Sequence, residues 1–268
     1  MDAITLGPLL LPFSRLPGIF ALILLLLVSE LLDKKHPGLA RWGWMTALAG
    51  ALGGRLAFAA LTPGAYANEP WTLLYFWQPG YLWWGALLAA VAFSFWYWRK
   101  HPGLRTSGVA LLAATSLVGL LTLALLPKPG SGEQLPELVL HNLASEEVNL
   151  SEYQGQPLVV NLWATWCPPC RREMPMLESY EGDERLQVVL INQGESLLAV
   201  SSFLDDEQLN FAELLLDPAQ KAMKEYAAPG LPATLFYNAQ GQLVDRHFGE
   251  LSRGQIERFI SRHGQALD

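Results

Sequence analysis

Cysteine and histidine are both scarce in this sequence of 268 residues. It contains two cysteines and five histidines, the latter at positions 36, 101, 141, 247 and 263. Two cysteines can form only one intramolecular disulfide, so the chain is not a scaffold held together by many disulfides. A zinc site needs about four ligands, and there is neither a second cysteine pair nor a paired histidine spacing. The two cysteines must therefore be interpreted from their local surroundings.

Charge is also scarce, and it is unevenly distributed. Only 16% of the residues are charged. Residues 1–128 contain nine Lys and Arg against four Asp and Glu, whereas residues 129–268 contain nine against twenty-one. The net charges are thus +5 and −12, which indicates two regions in different surroundings.

Long apolar runs occur four times before Pro127, at about residues 9–32, 43–62, 80–98 and 107–126. Each is long enough to cross a bilayer, which takes roughly 20 residues. The sequence therefore predicts a multi-span α-helical membrane domain over residues 1–127 with about four transmembrane helices. Buried helices of a large soluble protein are the alternative, and they fit the run lengths and the loop charges less well.

Basic residues predict the orientation of these spans, because Lys and Arg in short loops stay on the cytoplasmic side. The second loop, at residues 62–79, contains no Lys or Arg. The first and third loops each contain three, at positions 34, 35, 41 and at 99, 100, 105. We therefore expect a bacterial inner-membrane protein with everything after Pro127 outside the cytoplasm. The start MDAITLG lacks a basic leader and a small-residue cleavage site, so no removable signal peptide is expected.

Arg55 lies inside the second apolar run, in AGALGGRLAFAA. A charged residue at this depth is costly and is by default a possible membrane site. The structural alternative is that it reaches the interface or pairs with a polar group in a neighbouring span.

Residues 135–268, which follow a linker at residues 128–134, read as one globular domain. Apolar runs alternate with helical patterns, as in an α/β sheet. The predicted strands are at 158–162, 188–191, 214–216 and 234–237, and the predicted helices are at 168–180, 196–206, 219–226 and 252–263. The turn YNAQGQ predicts a closing hairpin into VDRHFG.

Both cysteines lie in NLWATWCPPCRREMP, between a predicted buried strand and a predicted helix. Pro168 and Pro169 suit a first helical turn, where amide donors are unpaired. Cys167 should then lie at a helix N-terminus, which stabilises a thiolate and makes this sulfur the nucleophile. Cys170 lies on the same side, close enough for a disulfide. We predict a redox-active disulfide and no other cofactor, since a structural disulfide closing so short a loop would stabilise little.

Residues 133–268 resemble the TlpA/ResA branch of membrane-tethered, extracytoplasmic thiol:disulfide oxidoreductases. The matching stretches include VVNLWATWCPPCRREMP, VVLINQGES and GLPATLFYNAQGQLV. The resemblance implies a thioredoxin-like α/β fold, with Cys167 as the exposed attacking thiol and Cys170 as the buried resolving thiol. It also implies a cis peptide bond before Pro232, which would face the disulfide, and pairing of the Leu231 backbone with a client segment.

Further site residues follow from the same resemblance. Glu173 matches an active-site glutamate, and Asn161 stands where thioredoxins have a buried aspartate, so Glu173 would tune the thiols and shuttle a proton. Its alternative role is to balance Arg171 and Arg172 on a solvated helix face. The remaining expectations are client contacts at Trp166, Pro168 and Pro169, core packing or a place in the apolar rim for Trp163, and a place near the site or a helix cap for Glu195.

Residues 40–102 resemble part of prolipoprotein diacylglyceryl transferase, through GGR, an acidic-aromatic loop and a Gly-bounded span. Where that family has a Ser-Phe-His-Gly-Gly run, this chain reads YLWWGA, so the active-site histidine is missing. Too few spans follow for a complete transferase. We therefore expect a reused membrane anchor rather than a lipid-transferring enzyme.

The predicted function is that of a membrane-anchored oxidoreductase which reduces disulfides of exported proteins, of the cytochrome c or copper-site maturation type. No cysteine lies in any predicted span, so a separate membrane thiol donor of the DsbD/CcdA type must reset the site. The expected partners are exported thiol clients, this donor and the lipid bilayer, and no nucleic acid. The alternatives are a disulfide oxidase or isomerase, a lipid-modifying transferase with a redox appendage, and a copper-binding chaperone.

Overall fold

The computed structural model describes residues 3–6, 9–12, 16–66, 70–75, 80–125 and 132–264. The chain divides into a helical unit, Phe13–Pro127, and a redox unit made of Met1–Pro12 and Lys128–Asp268. Most of the predicted linker, residues 128–131, lies outside the described part of the chain, as do the last four residues of the predicted loop at 62–79.

The helical unit contains four long helices at the positions of the predicted spans. They are α1 (Leu16–Leu32), α2 (Leu39–Leu61), α3 (Trp83–Lys100) and α4 (Arg105–Leu125). Among the described residues, two segments are long and apolar enough to cross a membrane by length and composition, Leu39–Leu61 and Pro102–Thr122. Helix α1 is apolar but has only 17 residues. The arrangement with four spans therefore stays a prediction.

The first span was predicted to start too early. Residues from position 9 form strand β2 (Leu9–Pro12), which pairs antiparallel with β1 (Ala3–Leu6), and the helix begins only at Leu16. An apolar run by itself does not distinguish a strand from a helix. Pro12 ends the strand, and Pro17 occupies the first helical turn, where its missing N–H costs nothing.

Small residues allow α2 and α3 to pack closely. A Cβ atom on Gly53 would clash with the side chain of Ala89 and would lie 2.9 Å from the carbonyl oxygen of Gly85. Close approach of two helix backbones at such positions is typical of packing in membranes. A second contact between α2 and α3 forms near the two basic loops, where the rings of Trp42 and Trp98 lie 5.6 Å apart.

The redox unit is built on a seven-stranded sheet with the order β4-β3-β7-β6-β5-β8-β9. Strands β5, β6 and β7 are parallel, and β8 and β9 continue the sheet as an antiparallel hairpin. The four predicted strands and the hairpin are confirmed, whereas β3 and β4 were not predicted. The strands are β3 (Val139–Asn142), β4 (Glu147–Asn149), β5 (Leu158–Trp163), β6 (Gln187–Gln193), β7 (Leu214–Asp217), β8 (Ala233–Tyr237) and β9 (Leu243–Phe248).

Helices cover both faces of this sheet. Side chains of α5, α6 and α8 pack on one face, and α7 packs on the other. All six residues of β5 are buried, and five of them are apolar, the exception being Asn161. The helices are α5 (Pro168–Glu178), α6 (Leu197–Glu207), α7 (Lys221–Glu225) and α8 (Arg253–His263). Since α5 follows β5 directly, the fold places the Cys-Pro-Pro-Cys segment at the end of β5, an interior strand of the sheet.

Candidate active site

The two cysteines lie where β5 passes into α5. Cys167 is the N-cap residue of α5, and Pro168 occupies the first helical position. The backbone N–H of Cys170 points at Cys167 Sγ, at 3.3 Å. The two sulfurs form a disulfide, and the two Cα atoms are 5.3 Å apart. The predicted position of Cys167, at the positive end of a helix, is therefore found in the fold.

The expectation that Cys167 is exposed is wrong for this disulfide-bonded form. Cys167 is only 3% exposed and Cys170 is fully buried. As an N-cap residue bonded to Cys170, Cys167 turns its side chain back over the first turn of the helix. The exposed groups here are its neighbours Trp166, which is 66% exposed, and Pro168. Pro169 is half-buried.

Trp163 belongs to the core of the redox unit rather than to the rim of the site. It is fully buried, and its ring lies 5.5 Å from that of Phe203 on α6. Trp166, three residues further on, is the aromatic side chain that this segment presents to solvent.

Pro232 lies at the same end of the sheet as the disulfide. Strand β8 begins at Ala233, which is paired with Leu162 near the end of β5. The Leu231–Pro232 peptide bond is cis, as predicted. Pro232 is buried and Leu231 is half-buried. The backbone before β8 and the start of α5 therefore border one region of the surface.

Glu173 is buried beneath this region. It is 2% exposed, and its carboxylate accepts hydrogen bonds from Asn161 Nδ2 at 2.8 Å and from the backbone N–H of Leu251 at 2.7 Å. Burial raises the pKa of Glu173 to about 8, although both hydrogen bonds and Arg172 act in the opposite direction. Because it is three residues from Cys170 on α5, its carboxyl shares a helix face with that sulfur.

The alternative role of Glu173, as a solvated residue that balances two arginines, is wrong. Arg171 forms an ion pair with Glu207, and Arg172 forms one with Glu250. Both arginines are exposed, while Glu173 points inward.

Asn161 joins three elements around this carboxyl. Its Nδ2 donates to Glu173 on α5 and, at 3.1 Å, to Thr234 Oγ1 on β8. Among the described residues, Asn161 Oδ1 has no hydrogen-bond partner. The acid of this site thus comes from the helix, and the strand supplies a neutral amide.

Glu195 holds the segment that leads to Cys167. Its carboxylate accepts from the backbone N–H of Thr165 and from Asn192 Nδ2, both at 2.7 Å, and also from the Thr165 hydroxyl. The helix cap expected in this turn belongs to Ser196, whose Oγ accepts from the N–H of Ala199. Glu195 is therefore near the site, through Thr165.

Sequence reasoning missed the loop that contains Leu251 and also missed Thr234. Leu251 contacts Glu173 through its backbone N–H. Because nearly every residue has this group, the residue type at position 251 does not predict the contact. The only local signals were Gly249, with φ +101°, and the capping box of Ser252 and Gln255. Within the described residues, no group of three His, Cys, Asp or Glu side chains could hold a metal ion.

Arg55, in the helical unit, is buried and bonds to backbone carbonyls of the segment between α2 and α3. Its guanidinium donates to the carbonyl oxygens of Thr72, Leu73, Tyr75 and Gly80 at 3.0–3.3 Å. It also lies 5.7 Å and 5.5 Å from the ring centres of Tyr66 and Tyr81. These contacts favour the structural alternative, since the guanidinium bonds to polar backbone groups of the segment between α2 and α3.

Comparisons with known proteins match the redox unit. Residues 131–246 match the AhpC/TSA family. The thiol-disulfide oxidoreductase ResA of Halalkalibacterium halodurans is 32% identical over 133 residues, which is 48% of this chain and 75% of that protein. ResA of Bacillus subtilis is 29% identical over 133 residues, 48% of this chain and 74% of that protein.

A solved thiol:disulfide interchange protein of the thioredoxin family from Chlorobium tepidum is similar over 52% of this chain and 100% of its own, with 20% identity and a TM-score of 0.44. The resemblance of residues 40–102 to the diacylglyceryl transferase lies outside the AhpC/TSA match and stays a prediction. The relatives and the disulfide at the start of α5 lead to one conclusion. This chain belongs to the ResA family of thiol-disulfide oxidoreductases, and it is a protein-disulfide reductase that acts on protein thiols and disulfides.

Proposed function

We propose that this protein is anchored in the bacterial inner membrane and reduces disulfides of exported proteins on the outer side. The clients would be of the cytochrome c or copper-site maturation type. One observation carries the chemistry: Cys167 caps α5 and is bonded to Cys170, at the end of the sheet where the cis Leu231–Pro232 bond also lies.

The first step is attack by the reduced enzyme on its client. The Cys167 thiolate, stabilised by the unpaired amides at the start of α5, attacks one sulfur of the client disulfide. The client S–S bond breaks, a Cys167–client mixed disulfide forms, and the other client sulfur leaves as a thiolate that takes up a proton. Trp166, Pro168, Pro169 and the Leu231 backbone would contact the client segment.

The second step releases the reduced client. Cys170 loses its proton and attacks Cys167 Sγ, so the mixed disulfide breaks and the second client thiolate leaves. In total the client gains two electrons and two protons, and the enzyme is left with the Cys167–Cys170 disulfide. A separate membrane dithiol of the DsbD/CcdA type would then reduce this disulfide, because no residue of the helical unit is a cysteine.

Glu173 supports the reducing direction. In its ionised form Glu173 disfavours a thiolate at Cys170 by charge repulsion, and because the pKa of Glu173 is about 8 this form grows as the pH rises toward 8. Destabilising the reduced, thiolate-bearing form makes a dithiol a stronger reductant, since stabilisation of that form makes DsbA an oxidant. A carboxyl with a pKa of about 8 can also take the proton of Cys170 during the second step.

The helical unit supports anchoring. Two of its described segments have the length and composition of membrane spans, and six of its eight Lys and Arg residues lie in the two loops expected on the cytoplasmic side. Labelling of single cysteines introduced at Lys35 and Lys128, in a cysteine-free background, tests the topology. We expect a membrane-impermeant thiol reagent added to intact cells to label position 128 and not position 35.

The reaction itself is tested by the reduction potential of the full chain in lipid nanodiscs. We expect equilibrium with a thiol buffer to give a value closer to the about −270 mV of thioredoxin than to the about −120 mV of DsbA. The same preparation should reduce insulin, and Cys167→Ser should abolish this activity. A potential near that of DsbA would support the oxidase alternative instead.

A further inference from the structure

The loop between β9 and α8, Gly249–Ser252, contacts both halves of the site. The N–H of Gly249 donates to the carbonyl oxygen of Pro232 at 2.9 Å. Two residues later, the N–H of Leu251 donates to Glu173 Oε2 at 2.7 Å. One short piece of backbone therefore joins the segment before β8 to the carboxyl beneath the cysteines.

Each residue of this loop is held in place. Glu250 Oε2 accepts from Arg172 Nε and Nη2 at 2.9 and 2.6 Å, and its carbonyl oxygen lies 3.1 Å from His247 Nε2. Leu251 is 2% exposed and packs in the core, and the N–H of Ser252 donates to Gln255 Oε1 at 3.0 Å. A loop fixed at every position transmits a displacement at one contact to the next.

We propose that the Gly249–Leu251 segment is a positioning element which holds the Glu173 carboxyl and the Leu231–Pro232 segment in register, so that proton binding at Glu173 and client binding are coupled. This rests on the proposed function. An ionised Glu173 accepts strongly from Leu251, because a charged acceptor makes the stronger bond. When Glu173 takes up a proton, that bond weakens and the loop loosens its hold on Pro232.

The charged groups that face Glu173 do not replace this link. Arg172 and Glu250 form an ion pair with each other at the surface, Cys170 lies one turn before Glu173 on α5, and Cys167 caps that helix. Asn161 supplies the other hydrogen bond and is neutral. Leu251 is thus the contact through which the carboxyl touches the loop.

Two glycines make a matched test. Gly249 has φ +101° and Gly155 has φ +112°, and a Cβ atom would meet nothing within 4 Å at either position. Both N–H groups donate to a carbonyl, Gly249 to Pro232 and Gly155 to Ala239. Alanine is strained at such φ values. Gly249→Ala and Gly155→Ala therefore impose similar backbone strain, at the site and at the opposite end of the sheet.

The readouts are made on the full chain in nanodiscs. The pKa of Glu173 is followed by the infrared band of its protonated carboxyl, identified by its loss in Glu173→Gln. We expect Gly249→Ala to raise this pKa by about one unit, because a bond to the carboxylate form is lost. We also expect the KM for a disulfide peptide to rise roughly fivefold or more with little change in kcat. Gly155→Ala should leave both at wild-type values.

Equal effects of the two glycine variants on pKa and KM would overturn the proposal. A second measurement needs no destabilised variant. Hydrogen exchange of residues 249–252, corrected for intrinsic rates, should slow as the pH rises through the pKa of Glu173 in the wild type and should not change in this way in Glu173→Gln. A flat wild-type profile would also overturn it. Failure of the wild type to reduce the peptide would refute the proposed function, while the infrared and exchange results would still decide whether the loop positions the carboxyl.

Discussion

Arg55 and Glu173 are both buried ionisable side chains, one in the helical unit and one in the redox unit, yet their surroundings differ in kind. Among the described residues, the Arg55 guanidinium donates to four backbone carbonyl oxygens, and these fixed dipoles stabilise its charge. Within the described part of the chain, Glu173 accepts two hydrogen bonds, and burial raises its pKa far above the ordinary value.

The difference shows that burial alone does not identify a reactive group. The hydrogen bonds of Arg55 fasten the segment between α2 and α3 to helix α2. Because burial raises the pKa of Glu173 to about 8, this residue can change charge near neutral pH, and it lies three residues from Cys170, the sulfur that loses a proton in the proposed second step. The partners of a buried charge, rather than its depth, distinguish a structural residue from a reactive one.

The largest expected effect is on the pH dependence of stability. Because burial raises the pKa of Glu173 to about 8, its contribution is fully present below its unfolded pKa of about 4.3 and is lost as the pH rises through 8. In the wild type the free energy of unfolding should fall by about 4 kcal/mol between pH 5 and pH 8, and Glu173→Gln should abolish this fall. Hydrogen exchange of β5 in the full chain measures this, with the exposed Glu184→Gln as control. If the free energy of unfolding of Glu173→Gln depended on pH as it does in the wild type, Glu173 would not be the reactive buried charge in this comparison.

The next effect concerns Arg55 and should leave the chemistry alone. Arg55→Met removes the donors of four carbonyl groups, and unsatisfied buried groups cost about 1–3 kcal/mol each. We expect a clear fall in the thermal unfolding temperature of the helical unit and a client reduction rate within about twofold of wild type. Arg55→Lys keeps the charge but lacks the planar fork of donors, so it should be intermediate. A large loss of reduction in Arg55→Met with normal stability would assign Arg55 a direct role.

A smaller effect is expected at Asn161. Asn161→Asp places a second carboxyl against Glu173, and two buried carboxyls share a proton. The upper apparent pKa of the pair should rise by about one unit or more. Asn192→Asp is the matched control, because Asn192 is also a fully buried strand amide that donates to a glutamate, in this case Glu195. Equal infrared titrations in both variants would show that the Asn161 contact does not set the proton affinity of Glu173.

The smallest effect is expected at Glu195. Glu195→Gln keeps one acceptor oxygen but removes the charge that fastens Thr165, so we expect the free energy of unfolding to fall by about 1 kcal/mol. The rate of exchange with a disulfide peptide should fall a few-fold at unchanged pKa of Glu173. A shift of that pKa would mean that the two carboxyls belong to one network.

Much of this fold follows from local signals. The run at residues 158–163 and the two prolines after Cys167 specify a buried strand that passes into a helix, and both are found. An apolar run was less informative at residues 9–12, where a strand forms in place of a helix. The exposure of Cys167 depends on how its side chain turns in the disulfide, which the spacing of the cysteines does not determine.

The contacts that prediction missed are long-range and involve backbone groups. The Leu251 N–H meets Glu173 across 78 positions, and the partners of Arg55 are carbonyl oxygens 17–25 positions later. Every residue has such groups, so no residue type marks them. Side chains near a motif could be assigned by position, whereas the backbone partners of Glu173 and Arg55 required the fold.

The central claim is that Cys167 attacks a client disulfide and Cys170 resolves the product. It is tested most directly by mixing reduced Cys170→Ser full chain, in nanodiscs, with a disulfide-containing client peptide and locating the trapped adduct by mass spectrometry. We predict a stable mixed disulfide on Cys167 that the wild-type chain does not accumulate. Absence of an adduct on Cys167, with the reduced sulfur intact and the domain folded, would contradict the account.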